Sequence, residues 1–400
     1  MKSKSALKQT EIGEIPNGWQ IATVGDFLEL SSGKFNPTRN LSQEHGVPVY
    51  GGNGITGFYS EHLVSEPTIV IGRVGAYCGS IHLTKNKAWI TDNAIYISRL
   101  DNHVDIQFLY YLLQKVNLRK LAETSGQPKI TQDPIKQLRI ALPPIHEQQK
   151  ISDVLSTVDD AIQKSDKIIQ KTQLLKKSMM HQLLTRGIKH TKFKQTEIGE
   201  IPENWDYKKI TELFKIETGT TPSTKNSSYW IDGNIEWFTP ADMSKLDGKL
   251  SIEDSRRKIT EIALKETNLS LIPHGSILLS TRAPVGYVAI LGKSATFNQG
   301  CKGLIPKDEN VDITFYAYLL LSKRDFLQSI SSGSTFKELS KDSLSSLVLP
   351  QPPLSEQQQI ASIISEIDKK IELEMTRKEY FEQIKQGLMN DLLTGKKRLN

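Results

Sequence analysis

Cysteine is nearly missing from this 400-residue chain. Cys78 and Cys301 stand far apart with no CxxC and no Cys/His cluster, which supports neither a disulfide framework nor a zinc site and fits a reducing cytoplasm. No apolar run approaches about 18 residues, and the basic opening MKSKSALKQTEIGEIP has no apolar stretch after it, so neither membrane insertion nor secretion is expected. Catalytic signatures are also missing: there is no HExxH, no GxSxG, no GxxxxGK[ST] and no Asn-Pro-Pro-aromatic tetrad. The eight histidines are scattered, and only a paired-carboxylate site, invisible to sequence, stays open.

Charge of both signs is plentiful, with 51 Lys/Arg against 45 Asp/Glu and a net charge of +6. That balance tolerates a polyanionic partner without announcing one. At this length and 38% hydrophobic content the chain can bury more than one core.

The chain is written twice. QTEIGEIPNGW (9 to 19) returns as QTEIGEIPENW (195 to 205), 186 positions on, and LPPIHEQQKISDVLSTVDDAI (142 to 162) is answered by LPQPPLSEQQQIASIISEIDKKI (349 to 371), with the shared EQQ displaced by 209. HQLLTRG (181 to 187) and NDLLTGK (390 to 396) keep the displacement of 209, so the closing segments match in length and the middles differ by 23 residues. A period this long is no solenoid. Shared ends around unlike middles describe one scaffold carrying two different heads.

Each closing segment reads as a long helix. Ile151, Val154, Leu155, Val158, Ile162, Ile168, Ile169, Leu175, Met179 and Leu183 recur mostly at steps of three or four, and Ile360, Ile363, Ile364, Ile367, Ile371, Met375, Phe381, Ile384, Leu388 and Leu392 repeat the pattern. Prolines 143, 144, 352 and 353 mark the entries, Ser355 and Gln358 have capping-box spacing, and Gly187 and Gly395 mark the exits. About 40 residues at roughly 1.5 Å each make a rod of about 60 Å whose narrow apolar stripe calls for the other rod as partner. Residues 146 to 194 carry ten Lys/Arg against five Asp/Glu, whereas 355 to 400 carry eight of each. Lys189, Lys192 and Lys194 therefore belong either to a solvated face or to a phosphate contact.

The heads are β-rich. TIVIG (68 to 72), AWITDNAIYI (88 to 97) and QLRIAL (137 to 142) surround one helix, IQFLYYLLQKV (106 to 116). The second head repeats the order with SILLS (276 to 280), YVAIL (287 to 291), the helix ITFYAYLLLSK (313 to 323) and LSSLVLPQ (344 to 351). Both read as α+β domains.

Several residues in them suit contact with nucleic acid. The run YGGNGITGFYS (50 to 60), with Asn53, allows close backbone approach to a phosphate or base edge, or is turn chemistry alone. Arg73 in IGRVGAY, beside Tyr77, and Arg282 in STRAPVGY lie 209 apart; each either grips phosphate, reads guanine through its fork, or makes a structural ion pair. Lys129 and Lys337 sit among small polar residues before each head's last strand. Arg256, Arg257 and Lys258 form a basic triplet, and Asn298, Gln299 and Lys302 offer donors near a turn, with solvated surface as the plain alternative. Tyr229, Trp230, Trp237 and Phe238 either pack a core or stack on an extruded base.

With these motifs in order, the chain resembles the specificity subunit of type I restriction-modification systems over essentially all 400 residues. The resemblance implies an α+β fold with two target recognition domains separated by two long antiparallel helices forming a coiled coil, an internal pseudo-twofold repeat. The expected division is recognition domain 1 at 1–145, central helix at 146–190, recognition domain 2 at 191–354 and C-terminal helix at 355–400. Each domain would read one half of a split site on double-stranded DNA. The resemblance also implies two modification (methyltransferase) subunits docking on the helices, with restriction subunits joining them. S-adenosylmethionine, ATP and Mg2+ belong to those partners, leaving no cofactor, metal or catalytic residue in this chain.

A rigid spacer holding two readers about one DNA turn apart, about 34 Å, would act as a ruler. The second head lacks a YGGNGITGFY counterpart, having WIDGNIEWFTPADM (230 to 243), so the half-sites are expected to differ. Two other classes compete: a nuclease with duplicated domains, which needs a carboxylate cluster with metal, and a coiled-coil adaptor that never touches DNA.

Overall fold

The computed structural model describes residues 7–123, 126–246, 248–282, 284–332 and 338–399. The chain divides into two compact units, Met1–Asp166 with Met375–Asn400, and Lys167–Glu374. The two long helices, Ile145–Arg186 and Leu354–Leu392, are each shared between the units. Each unit is therefore a head with one portion of both helices.

The helices start where the prolines end. Ile145 directly follows Pro144, and Leu354 follows Pro353, so Ser355 lies inside the first turn rather than at the cap and the capping-box expectation fails. Gly187 ends the first helix in the left-handed region at φ +63°. Gly395 does the same at +69°, three residues after Leu392. Side chains with a Cβ rarely adopt this conformation.

In the first unit the helices pair antiparallel. Lys385 meets Asp159 at 2.7 Å and Lys378 meets Asp166 at 2.8 Å, seven residues apart on both helices. The core beside them gathers Ile151, Leu155 and Leu392 with the head's Phe108, Tyr111 and Leu112. In the second unit Lys176 meets Asp368, and Met180, Leu183, Leu184, Ile360 and Ile364 pack with Phe315, Tyr316 and Leu319.

The recurring EQQ proves to be the fastening of head to helix. Glu147 accepts the indole N–H of Trp19, and Glu356 that of Trp205. Gln148 and Gln357 are wholly buried and fully bonded: each Oε1 accepts the backbone N–H of a helix-capping aspartate, Asp105 or Asp312. Each Nε2 donates to two carbonyls, those of His103 and Pro143 or of Asn310 and Pro352. A buried amide so satisfied costs little, whereas truncating it strands several partners.

Further along, Tyr111 bonds Asp159 and Tyr318 bonds Asp368, each with the paired lysine 5.4 Å from the ring centroid. Burial and the neighbouring carboxylate push both phenols well above the ordinary tyrosine range. Two unlike heads thus sit on the helices through the same contacts.

Besides two two-stranded ribbons, each head has one larger and one smaller sheet. In the first, strands Leu28–Ser32, Ala94–Leu100, Ile69–Gly72 and Ile81–Leu83 lie side by side in that order. In the second, Phe214–Thr218, Cys301–Pro306, Ile277–Ser280, Val288–Leu291 and Ser251–Ile252 do so. The head helices, Ile106–Val116 and Ile313–Ser322, match the expected positions. Cys78 and Cys301 are buried free thiols. No helix among the described residues is long and apolar enough to cross a membrane.

The smaller sheets answer the question of the missing counterpart. Val47–Gly51 pairs antiparallel with Gly54–Tyr59 and parallel with Trp89–Ile90. In the second head Ile235–Phe238 takes the central place, parallel to Thr296–Phe297, but its antiparallel neighbour is Arg257–Ile259. The sheet is kept while a tight hairpin is replaced by a strand brought in from further along.

Candidate nucleic-acid interface

In the first head the run AWITDNAIYI is two strands, Trp89–Ile90 and Ala94–Leu100, and the turn Thr91–Asn93 between them is a hub. Gly33 lies so close that a Cβ there would sit 2.1 Å from the Thr91 carbonyl oxygen. The N–H of Arg73 donates to Asn93 O at 2.9 Å, and that of Thr91 to Tyr50 O. A Cβ on Gly52 would sit 3.4 Å from both Gly72 Cα and Tyr77 Cβ. Glycine at 33 is thus required by close backbone approach, whereas a Cβ at 52 would meet only ordinary contacts.

The candidates collect around this hub. Asn53 is exposed at the tip of the hairpin, whose Gly52 carbonyl accepts from Ser80 Oγ and lies 3.0 Å from His82 Nε2. Arg73 is half-buried, with no ion-pairing carboxylate among the described residues. Tyr77 is 56% exposed. Lys129 is exposed and held by backbone pairing with Val74 and Glu123. Asn53, Arg73, Tyr77 and Lys129 therefore share one neighbourhood.

The second head builds the same hub from Asn298–Gly300. Gly219 presses on the Asn298 carbonyl as Gly33 does on Thr91, and the N–H groups of Thr281 and Arg282 both donate to Gly300 O. Leu339 N donates to Thr281 O just as Ile130 N donates to Arg73 O. By backbone pairing, Arg73 is therefore equivalent to Thr281, and Arg282 to Val74. The constant offset of 209 misplaces this pair by one residue.

Arg282 makes a structural ion pair to Glu338 at 2.9 Å, with the guanidinium still half exposed. Lys302 alone among the described polar candidates is buried; burial pushes its ammonium pKa down while Glu338 opposes the shift. Gln299 is exposed and accepts the Thr221 hydroxyl at 2.5 Å. Lys337 lies outside the described residues.

Arg257 and Arg256 join this group through the small sheet. The Arg257 guanidinium stacks 3.6 Å over Trp230 and 5.3 Å from Trp237. A cation so placed over indole gains about 0.5–2 kcal/mol and a fixed orientation. The Trp237 indole N–H donates to Thr220 O, beside the Thr221 that bonds Gln299. Arg256 is exposed, its N–H donating to Asp242, and with Trp237, Thr239, Lys245 and Arg257 it lines a concavity of about 400 Å³. Trp237 and Phe238 are buried, in line with the core reading of the aromatic cluster, but Trp230 and Trp237 also serve as the platform for Arg257.

Sequence reasoning missed Thr220, Thr221 and the loop Lys34–Asn40. The signal was present: SSGKFNPT (31 to 38) and ETGTTPST (217 to 224) follow the first main strand of each head at the shared offset of 186. In both, the residue after glycine has its carbonyl held by an indole, Trp89 to Lys34 O at 3.2 Å and Trp237 to Thr220 O at 3.0 Å. The two tryptophans come from different strands. No group of three or more His, Cys, Asp or Glu among the described residues is placed to hold a metal ion.

Comparison with known proteins agrees with this duplicated plan. Residues 16–173 and 202–383 each match the family described as the type I restriction modification DNA specificity domain. The chain is 28% identical over 413 residues to the type I restriction enzyme MjaVIII specificity subunit of Methanocaldococcus jannaschii, covering 96% of this chain and 94% of that one. Against the MjaIX specificity subunit of the same organism it is 43% identical over 195 residues, 48% of this chain and 45% of that one. The fold matches the crystal structure of a type I restriction-modification system S subunit from M. genitalium with a TM-score of 0.64 at 16% identity, covering 96% and 98% of the two chains. With the family's domain present once in each half, this chain belongs to the specificity subunits of type I restriction-modification systems.

Proposed function

We propose that each head reads one half of a bipartite, asymmetric site on double-stranded DNA, and that the helices set the spacer and dock two modification subunits. The observation that carries this reading is the pair of unlike heads fastened to the helices by identical contacts, Glu147/Glu356, Gln148/Gln357 and Tyr111/Tyr318. A fastening repeated at this precision fixes orientation, which a pair of DNA readers needs and an adaptor does not. The four-part division at 1–145, 146–190, 191–354 and 355–400 follows the same logic.

In the first head Asn53, Arg73, Tyr77 and Lys129 are assigned to DNA, and in the second Arg256, Arg257, Arg282, Gln299 and Lys337. Arg257 is the best prepared of these for guanine, since stacking holds its fork in one plane. Lys302 is assigned a supporting part, steadying Glu338 and so Arg282. The chain is the non-catalytic reader of a cytoplasmic complex that defends against phage, its modification subunits using S-adenosylmethionine and its restriction subunits ATP and Mg2+.

Exchanging residues 20 to 141, or 206 to 348, for the corresponding head of a related subunit, and mapping adenine methylation across the genome, tests the proposal. One half of the methylated motif should change with each exchange while the other half persists. Both halves changing together, or neither, would overturn it. Purified complex should bind the mapped duplex with an affinity that falls with salt as phosphates are neutralised.

A further inference from the structure

Single exposed hydrophobic residues are common and need no explanation. Phe35 differs in how it is presented. It is 73% exposed, on a loop whose base is clamped: Gly33 N donates to Ala94 O, Lys34 N to Ile90 O, and the Trp89 indole to Lys34 O. Beyond it, Pro37 starts a single helical turn over Thr38–Asn40, and Asn40 Nδ2 donates to Asn36 Oδ1 at 3.1 Å. The aromatic ring is thus carried on a stiff loop and kept out of the core.

The chemistry around it is one-sided. The segment GKFNPTRN (33 to 40) holds Lys34 and Arg39 and no acidic residue, and both cations are exposed. A second exposed aromatic, Tyr77, belongs to the same hub, because Gly33 presses on Thr91 while Gly52, against Tyr77, faces Asn93 O. Arg73 is anchored to that same turn. In the second head the residue equivalent to Phe35 is Thr221, whose hydroxyl is spent on Gln299.

We infer that Phe35, seconded by Tyr77, is a base-stacking wedge that partly unstacks one step of the DNA read by the first head, with no equivalent in the second. The inference rests on the DNA-reading function proposed above. Aromatic wedges enter between bases at a cost in stacking that is least at pyrimidine–purine steps. The half-site of the first head should accordingly contain or abut a TA or CA/TG step. Lys34, Arg39 and Arg73 would hold the flanking phosphates while the step opens.

The full chain assembled with its modification subunits, and duplexes of the mapped motif with 2-aminopurine placed at successive positions, provide the test. Away from the adenines that the modification subunits themselves extrude for methylation, fluorescence should rise at one step in or beside the first half-site on binding, and at none in the second. Phe35→Ala should abolish the rise and weaken binding on the order of tenfold, while Phe35→Trp keeps both. Because Phe35 is exposed, Phe35→Ala should fold normally, checked by an unchanged melting curve. If the wild type binds its motif specifically and Phe35→Ala binds and unstacks as well as it does, the wedge is overturned and the DNA-reading proposal stands. Loss of the modification subunits from Phe35→Ala would also overturn it, making the ring a protein anchor. Wild-type complex that binds no duplex specifically would bring down both.

Discussion

Glu236 is a buried carboxylate in the central strand of the second head's small sheet, with only 3% of its surface exposed. Burial pushes its pKa up, but Lys258 at 2.6 Å and the N–H and hydroxyl of Ser255, each at 2.7 Å, outweigh that and hold it below the ordinary glutamate range. The folded form therefore keeps the charge more readily than the unfolded chain. Its contribution to stability is fully present above the unfolded value of about 4.3 and is lost as pH falls through the lower folded value. Denaturation midpoints measured from pH 6 down to pH 3 should show a decline that Glu236→Gln flattens. An equal decline in both proteins would place the acid sensitivity elsewhere. The same bonds bear on function, since Lys258 and Ser255 border the arginine pair of the candidate interface.

Glycines within and at the ends of the long helices separate two effects that sequence alone conflates. Gly187 is left-handed, and a Cβ there would lie 2.5 Å from Glu356 Oε1 and 2.7 Å from Trp205 Cζ2. Gly387 sits inside the second long helix with nothing within 4 Å. Chemical denaturation should find Gly187→Ala destabilised by about 2–3 kcal/mol, from backbone strain and a disturbed fastening. Gly387→Ala should gain about 0.5–1 kcal/mol from helix propensity and a less flexible unfolded chain. At this scale the sequence was legible wherever the signal was local. Helix faces, prolines and exit glycines gave the long helices, and glycine breaks and β-branched runs gave most strands.

Non-local pairing was not legible. Arg256, Arg257 and Lys258 read as a basic triplet until Ile235–Phe238 pairs with Arg257–Ile259, and nothing local marks Gln148 and Gln357 as buried until the head carbonyls reach them. The candidate residues could be named one by one, but their grouping around Thr91–Asn93 and Asn298–Gly300 depended on close contacts that no spacing displays. The offset of 209 worked in the helices, which admit no insertion, and failed by one residue at Arg282, where the strand it follows ends at Ser280, only 208 positions beyond Gly72.

For the whole molecule the helices matter as a length. The ion pairs Lys385–Asp159 and Lys378–Asp166 fix one register, so seven residues added to a single helix would break every pair on one side of the insertion. The ruler test is therefore sharper with matched heptads, one between residues 168 and 172 and one between 372 and 376. Each adds about 10 Å, close to three base pairs of DNA. Mapped methylation should then show both half-sites intact with a spacer longer by about three base pairs. An unchanged spacer would rule out the helices as the measuring element.

The loop after the first main strand of each head is held by an indole N–H, from Trp89 on one strand and Trp237 on another. What recurs is a fixture at one point in space, indifferent to which segment supplies it. Anyone retooling these readers by sequence alignment would transplant the wrong tryptophan and leave the loop adrift. A graft that carries donor and carbonyl together would keep the mounting and leave the tip free to be rewritten.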